Sequence, residues 1–93
     1  MDVTWGPFVW DDHKEAQNIL KHSLDFKTAV MAFLDPERKI LADSRHSHAE
    51  VRMFCVGKVD GKVVTIRYAK RENTIRIIGA GYWRKGRRDY NEK

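Results

Sequence analysis

Arg52, Arg67, Arg71 and Arg76 fall within three β-rich runs, and Trp83, Arg84, Lys85, Arg88 and Tyr90 follow in a short basic tail. Guanidinium forks bind phosphate oxygens in pairs, so arginines grouped on one sheet suit a phosphodiester. Cleaving RNA through its own 2′-hydroxyl needs a proton acceptor, a proton donor, and cations that meet the charge growing on the phosphate. Arg67, Arg71 and Arg76 are candidates for the cationic role, and His46 and Tyr90 for proton transfer. Arg52, Arg84, Lys85 and Arg88 are candidate contacts to an RNA backbone, and Trp83 offers a ring on which an unpaired base can stack. The same residues admit a plainer reading. Arginines snorkel along half-exposed sheets, Trp83 can pin the tail to the sheet, and a charged tail is often only a solvated face.

Other chemistries find less support. His46 and His48 have the spacing of a chelate but no convincing third ligand nearby, so no metal site is expected. Gly79-Ala80-Gly81 follows a strand without the helical unit of a dinucleotide fold, and neither a Ser-His-Asp nor a Cys-His site has a local signature. No cofactor is expected. Cys55 is the lone cysteine and falls in a strand, where a thiol serves as a small apolar filler. The net charge of +5 favours an anionic partner, whether nucleic acid, an acidic protein or a membrane surface. The N-terminus shows no basic segment followed by an apolar run, and no apolar stretch reaches bilayer-spanning length. A cytoplasmic protein without a membrane partner is expected.

The elements that must position these residues are legible in part. Asp60-Gly61 lies between two β-rich runs, and Asp-Gly is a favoured two-residue hairpin loop because both positions want positive φ. With that loop Val59 pairs with Lys62, Gly57 with Val64, Cys55 with Ile66 and Met53 with Tyr68. Alternation then puts Met53, Cys55, Val64, Ile66 and Tyr68 on one face, and Arg52, Phe54, Val56, Val63, Thr65 and Arg67 on the other. An even loop within Lys70 to Asn73 adds Ile75 and Ile77 to the first face and Arg76 and Ile78 to the second; a bulge breaks this alignment.

Upstream, Trp5 to Trp10 reads as a short strand and Asp11 or Asp12 as a helix cap. Ala16, Ile19 and Leu20 read as the apolar stripe of a first helix that ends at Lys21 and His22. Asp25 caps a second helix whose face is Phe26, Ala29, Val30 and Phe33, and Asp35-Pro36 stops it. Ile40 to Ala42 reads as a further strand, and Asp43 to Glu50 as a polar loop. A chain of 93 residues has room for one domain, spanning 1–93. The expected architecture is α+β: two N-terminal helices packed on one face of a largely antiparallel sheet, with room for a short C-terminal helix.

Several ordered motifs resemble the BrnT-type toxins. Phe8-Val9-Trp10-Asp11, Asn18-x-x-Lys21-His22 and Phe26-x-x-Ala29 are similar to that family's opening. His46-Ser47-x-x-Glu50-x-Arg52 resembles its loop before a long strand, and Tyr68-x-x-Arg71 with Ile75-Arg76-Ile77-Ile78 its last hairpin. The resemblance spans nearly the whole chain. It implies a RelE-like fold and a metal-independent ribonuclease toxin of a type II toxin–antitoxin pair. Such a protein would cleave RNA, with mRNA on the ribosome as one target, and inhibit translation until bound by a BrnA-type ribbon-helix-helix antitoxin. Promoter DNA would be met only through that antitoxin. The resemblance also marks Arg71 and Arg76 as functional positions.

One stretch departs from the pattern. Many members follow the Ile-Ile pair with Ser-x-Arg and a basic helix, where this chain has Gly79-Ala80-Gly81-Tyr82-Trp83-Arg84-Lys85-Gly86. The arginine expected near Gly81 is missing, with Arg84 as a substitute from further along. That loss keeps an alternative function open: a catalytically weakened toxin-fold module acting as RNA binder or as co-repressor with its antitoxin.

Overall fold

The computed structural model describes residues 1–92. Strands β1 (Asp2–Trp5) and β2 (Phe8–Asp11) lead into helix α1 (Asp12–His22) and a one-turn helix α2 (Phe26–Ala29) that tightens into a 3-10 segment, Val30–Leu34. Strands β3 (Lys39–Ala42), β4 (Arg52–Val59), β5 (Lys62–Arg71) and β6 (Thr74–Gly81) follow, and helix α3 (Arg84–Asn91) closes the order. The six strands form one sheet in the order β1-β2-β6-β5-β4-β3. Neighbours run antiparallel except β2 and β6, which are parallel through Phe8–Ile75 and Val9–Arg76.

This corrects the expected architecture of two N-terminal helices on one face of a largely antiparallel sheet. The sheet is mixed, strands dominate, and a strand hairpin around Gly6-Pro7 stands where one strand was read. Nor does α1 lay an apolar stripe on the sheet. Ala16 is exposed, and Ile19 and Leu20 are 44% and 86% exposed. Its inward side is polar. Beyond the two pairs with β2, the rest of the β6 edge would be left without a strand partner; there Asn18 Oδ1 accepts from the Ala80 N–H (3.1 Å) while Asn18 Nδ2 donates to the Leu24 carbonyl (3.0 Å). Glu15 accepts from Trp10 Nε1 (3.0 Å) and from the Phe26 N–H (2.8 Å). A buried backbone group without a partner is costly, so a helix that supplies one can dock through carboxylate and amide. Hydrophobic periodicity carries no trace of this.

The second helix keeps its cap, since Asp25 Oδ2 accepts from the Thr28 N–H (3.0 Å), but it holds α geometry for a single turn. Leu24, Phe26, Ala29, Val30 and Ala32 from this region cover the sheet face bearing Cys55, Val64, Ile66, Tyr68 and Ile77. Trp10 meets Phe26 edge-on at 5.8 Å, and Phe33 meets Tyr68 at 5.2 Å. Large apolar side chains contribute roughly 1.5–3 kcal/mol each when buried. This short segment, not α1, therefore supplies the apolar layer.

The β4–β5 register is Val59↔Lys62, Gly57↔Val64, Cys55↔Ile66 and Met53↔Tyr68, around a turn with Asp60 at φ 50 and Gly61 at φ 81. Glu72-Asn73 forms the next loop, which places Ile75 and Ile77 with the core face and Arg76 opposite. Ile78 then bulges out of the ladder, so the register shifts: Gly79 pairs with Arg67, Ala80 with Ile66 and Gly81 with Thr65. On the face away from the core, α3 packs across β4 and β5. It comes so close at Gly86 that a Cβ there would lie 1.9 Å from Thr65 Oγ1. The far end of α3 is tied down where the Tyr90 hydroxyl donates to Asp35 and the Lys39 ammonium reaches the Glu92 carbonyl. Among the described residues no helix is long and apolar enough to cross a membrane.

Candidate functional site

Arg67 stands mid-strand in β5, on the face away from the core, with Phe54 of β4 on one side and Gly79 of β6 on the other. A Cβ at position 79 would lie 3.0 Å from Arg67 Nη2, and one at position 81 would lie 2.8 Å from Trp83 Cε2 and Cζ2. The two glycines are therefore room for a guanidinium and an indole. The Trp83 ring covers the guanidinium carbon at 5.9 Å, within the range of cation–π attraction. His22, at the end of α1, meets Trp83 edge-on with centroids 5.3 Å apart. Lys14, Lys21, His22, Arg67 and Ile78 line one hollow beside α1, and a neighbouring hollow lined by Lys14, Ile78, Arg76 and Asp2 continues it.

What sets Arg67 apart is the lack of a counter-charge. Its Nε, like that of Arg52, is enclosed without a hydrogen-bond partner, but among the described residues no carboxylate forms an ion pair with Arg67. The other arginines on this face are answered. Arg71 forms a two-pronged pair with Glu50, Nε to Oε2 at 3.0 Å and Nη2 to Oε1 at 3.1 Å. That hydrogen bond holds the Glu50 carboxyl below its ordinary range and raises Arg71 above its own. Arg76 reaches Asp2 with Nη2 at 2.9 Å and 3.0 Å from the two oxygens. Arg52 has its Nε 3.8 Å from Glu50. Ion pairs this exposed are worth about 0–1 kcal/mol, so a phosphate can compete for either guanidinium.

The proton-transfer candidates lie in other surroundings. His46 sits in a 3-10 turn, Ser44–His46, with Nδ1 2.9 and 3.1 Å from the oxygens of Asp43, which is only 5% exposed. A carboxylate that holds Nδ1–H leaves Nε2 as the acceptor, the arrangement of an oriented general base. Tyr90 lines a separate hollow with Met31, Leu34 and Lys58, and its hydrogen bond to Asp35 pushes the phenol up to about 12. A phenol committed in that way is poorly matched to acid–base work near neutrality. Of the candidate RNA contacts, Arg84 and Arg88 are exposed on α3, and Lys85 is paired with Asp89 at 2.8 Å. Trp83 is half-buried between Gly81, Arg67 and His22.

Two residues with parts in this site were not among the candidate site residues: His22 reads as a helix-end residue, and Asn18 enters only through the family resemblance. Their signal was the Asn18-x-x-Lys21-His22 spacing, which lets one residue stitch α1 to Ala80 while the other, one turn on, reaches Trp83. The geometry around Gly81 bears on the departure noted there. Gly81 pairs with Thr65 on the face that bears Arg67, so an arginine side chain at position 81 would project beside Arg67. In this chain Gly81 has no side chain, and the Trp83 ring occupies the space above it.

A half-buried cation without a counter-ion, beside an imidazole and below an aromatic ring, can bind an oxyanion and move a proton near it. Among the described residues no three His, Cys, Asp or Glu side chains gather to hold a metal ion. Residues 10–86 match a family model described as "Ribonuclease toxin, BrnT, of type II toxin-antitoxin system". No curated protein matches the chain.

Proposed function

As the chain belongs to the BrnT family of ribonuclease toxins from type II toxin–antitoxin systems, we propose that it cleaves RNA at the hollow between α1 and β6, with Arg67 as the phosphate-binding cation. The observation that carries this reading is Arg67 itself, half-buried on the sheet with no carboxylate partner among the described residues. Membership in such a system brings a protein antitoxin as partner; that it is of the BrnA ribbon-helix-helix type, and alone supplies the contacts to promoter DNA, is part of the proposal.

In the proposed reaction an imidazole takes the proton of a ribose 2′-hydroxyl, and that oxygen forms a bond to phosphorus. The bond from phosphorus to the 5′-oxygen breaks, and the leaving oxygen takes up a proton. The products are a 2′,3′-cyclic phosphate and a 5′-hydroxyl end. Arg67 meets the charge that builds on the phosphate oxygens. His22 borders the same hollow and is assigned the proton transfer there, while His46, held by Asp43 in the turn before β4, lies outside that lining. Arg76 and Arg71 extend the cationic track once phosphate displaces Asp2 and Glu50, and Arg52, Arg84, Lys85 and Arg88 add charge around it. The reaction needs no metal, and translation stops because messages are cut.

Purified protein incubated with end-labelled RNA in EDTA tests this directly, with and without the antitoxin encoded beside it. Cleavage to 5′-hydroxyl ends, blocked by the antitoxin and reduced by about 10²–10³ in Arg67→Gln, is the expected result. A second reading, a co-repressor that binds RNA without cutting it, is favoured by the internal pairing of Arg71 and Arg76. It predicts intact RNA and binding that weakens by about 0.7 log units per log unit of salt for each phosphate contact.

A further inference from the structure

A cleft of about 370 Å³ lies between α3 and the sheet face of β4 and β5, walled by Leu41, Phe54, Val56 and Trp83. Arg67 lines both this cleft and the basic hollow beside α1, so it marks where the two meet. We propose that the cleft is a nucleobase slot, which takes the base of the nucleotide whose phosphate is held at Arg67. This rests on the RNA-cleaving reading above.

Three observations favour a base over other occupants. The walls are apolar and include two aromatic rings, which suits the faces of a flat heterocycle, and the volume lies in the range of small-ligand sites. The lining also includes the Arg67 guanidinium, which lies beside the Trp83 ring and has no ion-pair partner among the described residues. An apolar peptide side chain would leave that cation unanswered. Finally, Lys85 and Asp89 on the lining neutralise each other in an ion pair, which leaves Arg67 as the unpaired charge that the lining offers a phosphate among the described residues. The charged part of a nucleotide is thereby directed to Arg67, and its base toward the apolar walls.

Affinities of the four nucleoside monophosphates, their nucleosides, ribose 5-phosphate and N-acetylphenylalanine amide, measured in EDTA by NMR titration of the indole and guanidinium signals, test the slot. At least one nucleotide is expected to bind about tenfold tighter than ribose 5-phosphate, the order of one stacked base. Leu41→Trp, which fills the slot from edge strand β3, should erase that difference while ribose 5-phosphate binds as before. Arg67→Gln should weaken nucleotide and ribose 5-phosphate alike. Equal, Arg67-dependent binding of nucleotides and ribose 5-phosphate would overturn the slot and leave the phosphate site standing. Nucleosides that bind as well as nucleotides, indifferent to Arg67→Gln, would keep the slot and sink the phosphate reading. Preference for the phenylalanine amide, or no binding by any of these, overturns the slot. The wild-type comparison decides even if Leu41→Trp fails to fold, and a circular dichroism melt identifies that case.

Discussion

At the scale of single residues, the site is made as much by missing side chains as by present ones. A methyl group at position 81 would fall 2.8 Å from the Trp83 ring. Gly81→Ala is therefore expected to swing the indole away from His22 and Arg67, at a cost of about 0.5–2 kcal/mol for the lost cation–π contact. Near-ultraviolet circular dichroism and the Trp83 indole signal report the movement, and RNA cleavage should fall with it; an unmoved indole would show that the glycine serves no such purpose. Alternation and the Asp60-Gly61 turn put Arg52 and Arg67 on one face, and Arg76 joins them only because the next loop, Glu72-Asn73, has an even length. Sequence reasoning was silent on which arginine lacks a counter-charge. The partners of Arg71 and Arg76 come from Glu50 in a loop and Asp2 in an unrecognised strand, and no periodicity links residues that far apart.

At the scale of elements, α1 reverses the usual pattern of a helix on a sheet. Its apolar residues face solvent and its buried contacts are polar, so mutational costs should be reversed too. Asn18→Leu leaves the Ala80 N–H and the Leu24 carbonyl without partners, each worth about 1–3 kcal/mol. Leu20→Gln, on the exposed side, should stay within about 0.5 kcal/mol of wild type. Urea denaturation of both variants checks the contrast, and equal costs would mean that α1 is held by something other than Asn18. Helix α3 gives a second case. Gly86→Ala raises helix propensity by about 1 kcal/mol in isolation, yet the methyl group would meet Thr65 Oγ1 and nearby Val56 Cγ1. Lifting α3 off the sheet by the overpacked contact should outweigh the propensity gain, so the variant is expected to melt lower, whereas a higher melting temperature would mean that Thr65 rotates away freely. The strands from Arg52 onward were legible because turn chemistry and alternation agree there. The opening hairpin was not, because Gly6-Pro7 was absorbed into a single apolar run.

For the molecule as a whole, one hydrogen bond couples stability to both ends of the pH scale. The Tyr90 hydroxyl and the N–H groups of Lys58 and Glu37 hold Asp35 below its ordinary range, so their contribution is present at neutral pH and is lost as pH falls through the lowered value. Tyr90 is raised from 10.0 to about 12, so its contribution is full below pH 10 and is lost as pH rises through about 12. Tyr90→Phe should lower the melting temperature at neutral pH and flatten the alkaline loss; a pH profile unchanged from wild type would show that the bond is idle in solution. Cys55 offers an independent reporter. Burial pushes its thiol up to about 12 and leaves it fully enclosed, so labelling by a thiol reagent should track global unfolding.

The parallel pairing of β2 with β6, and the stitch from Asn18 to Ala80, join the start of the polypeptide to its last strand. Translation runs the other way along that closure. The opening hairpin, α1 and the imidazole of His22 have no platform until Gly81 has cleared the exit tunnel. A polypeptide still being made thus lacks the assembled cleft until β6 has emerged and closed on the opening hairpin.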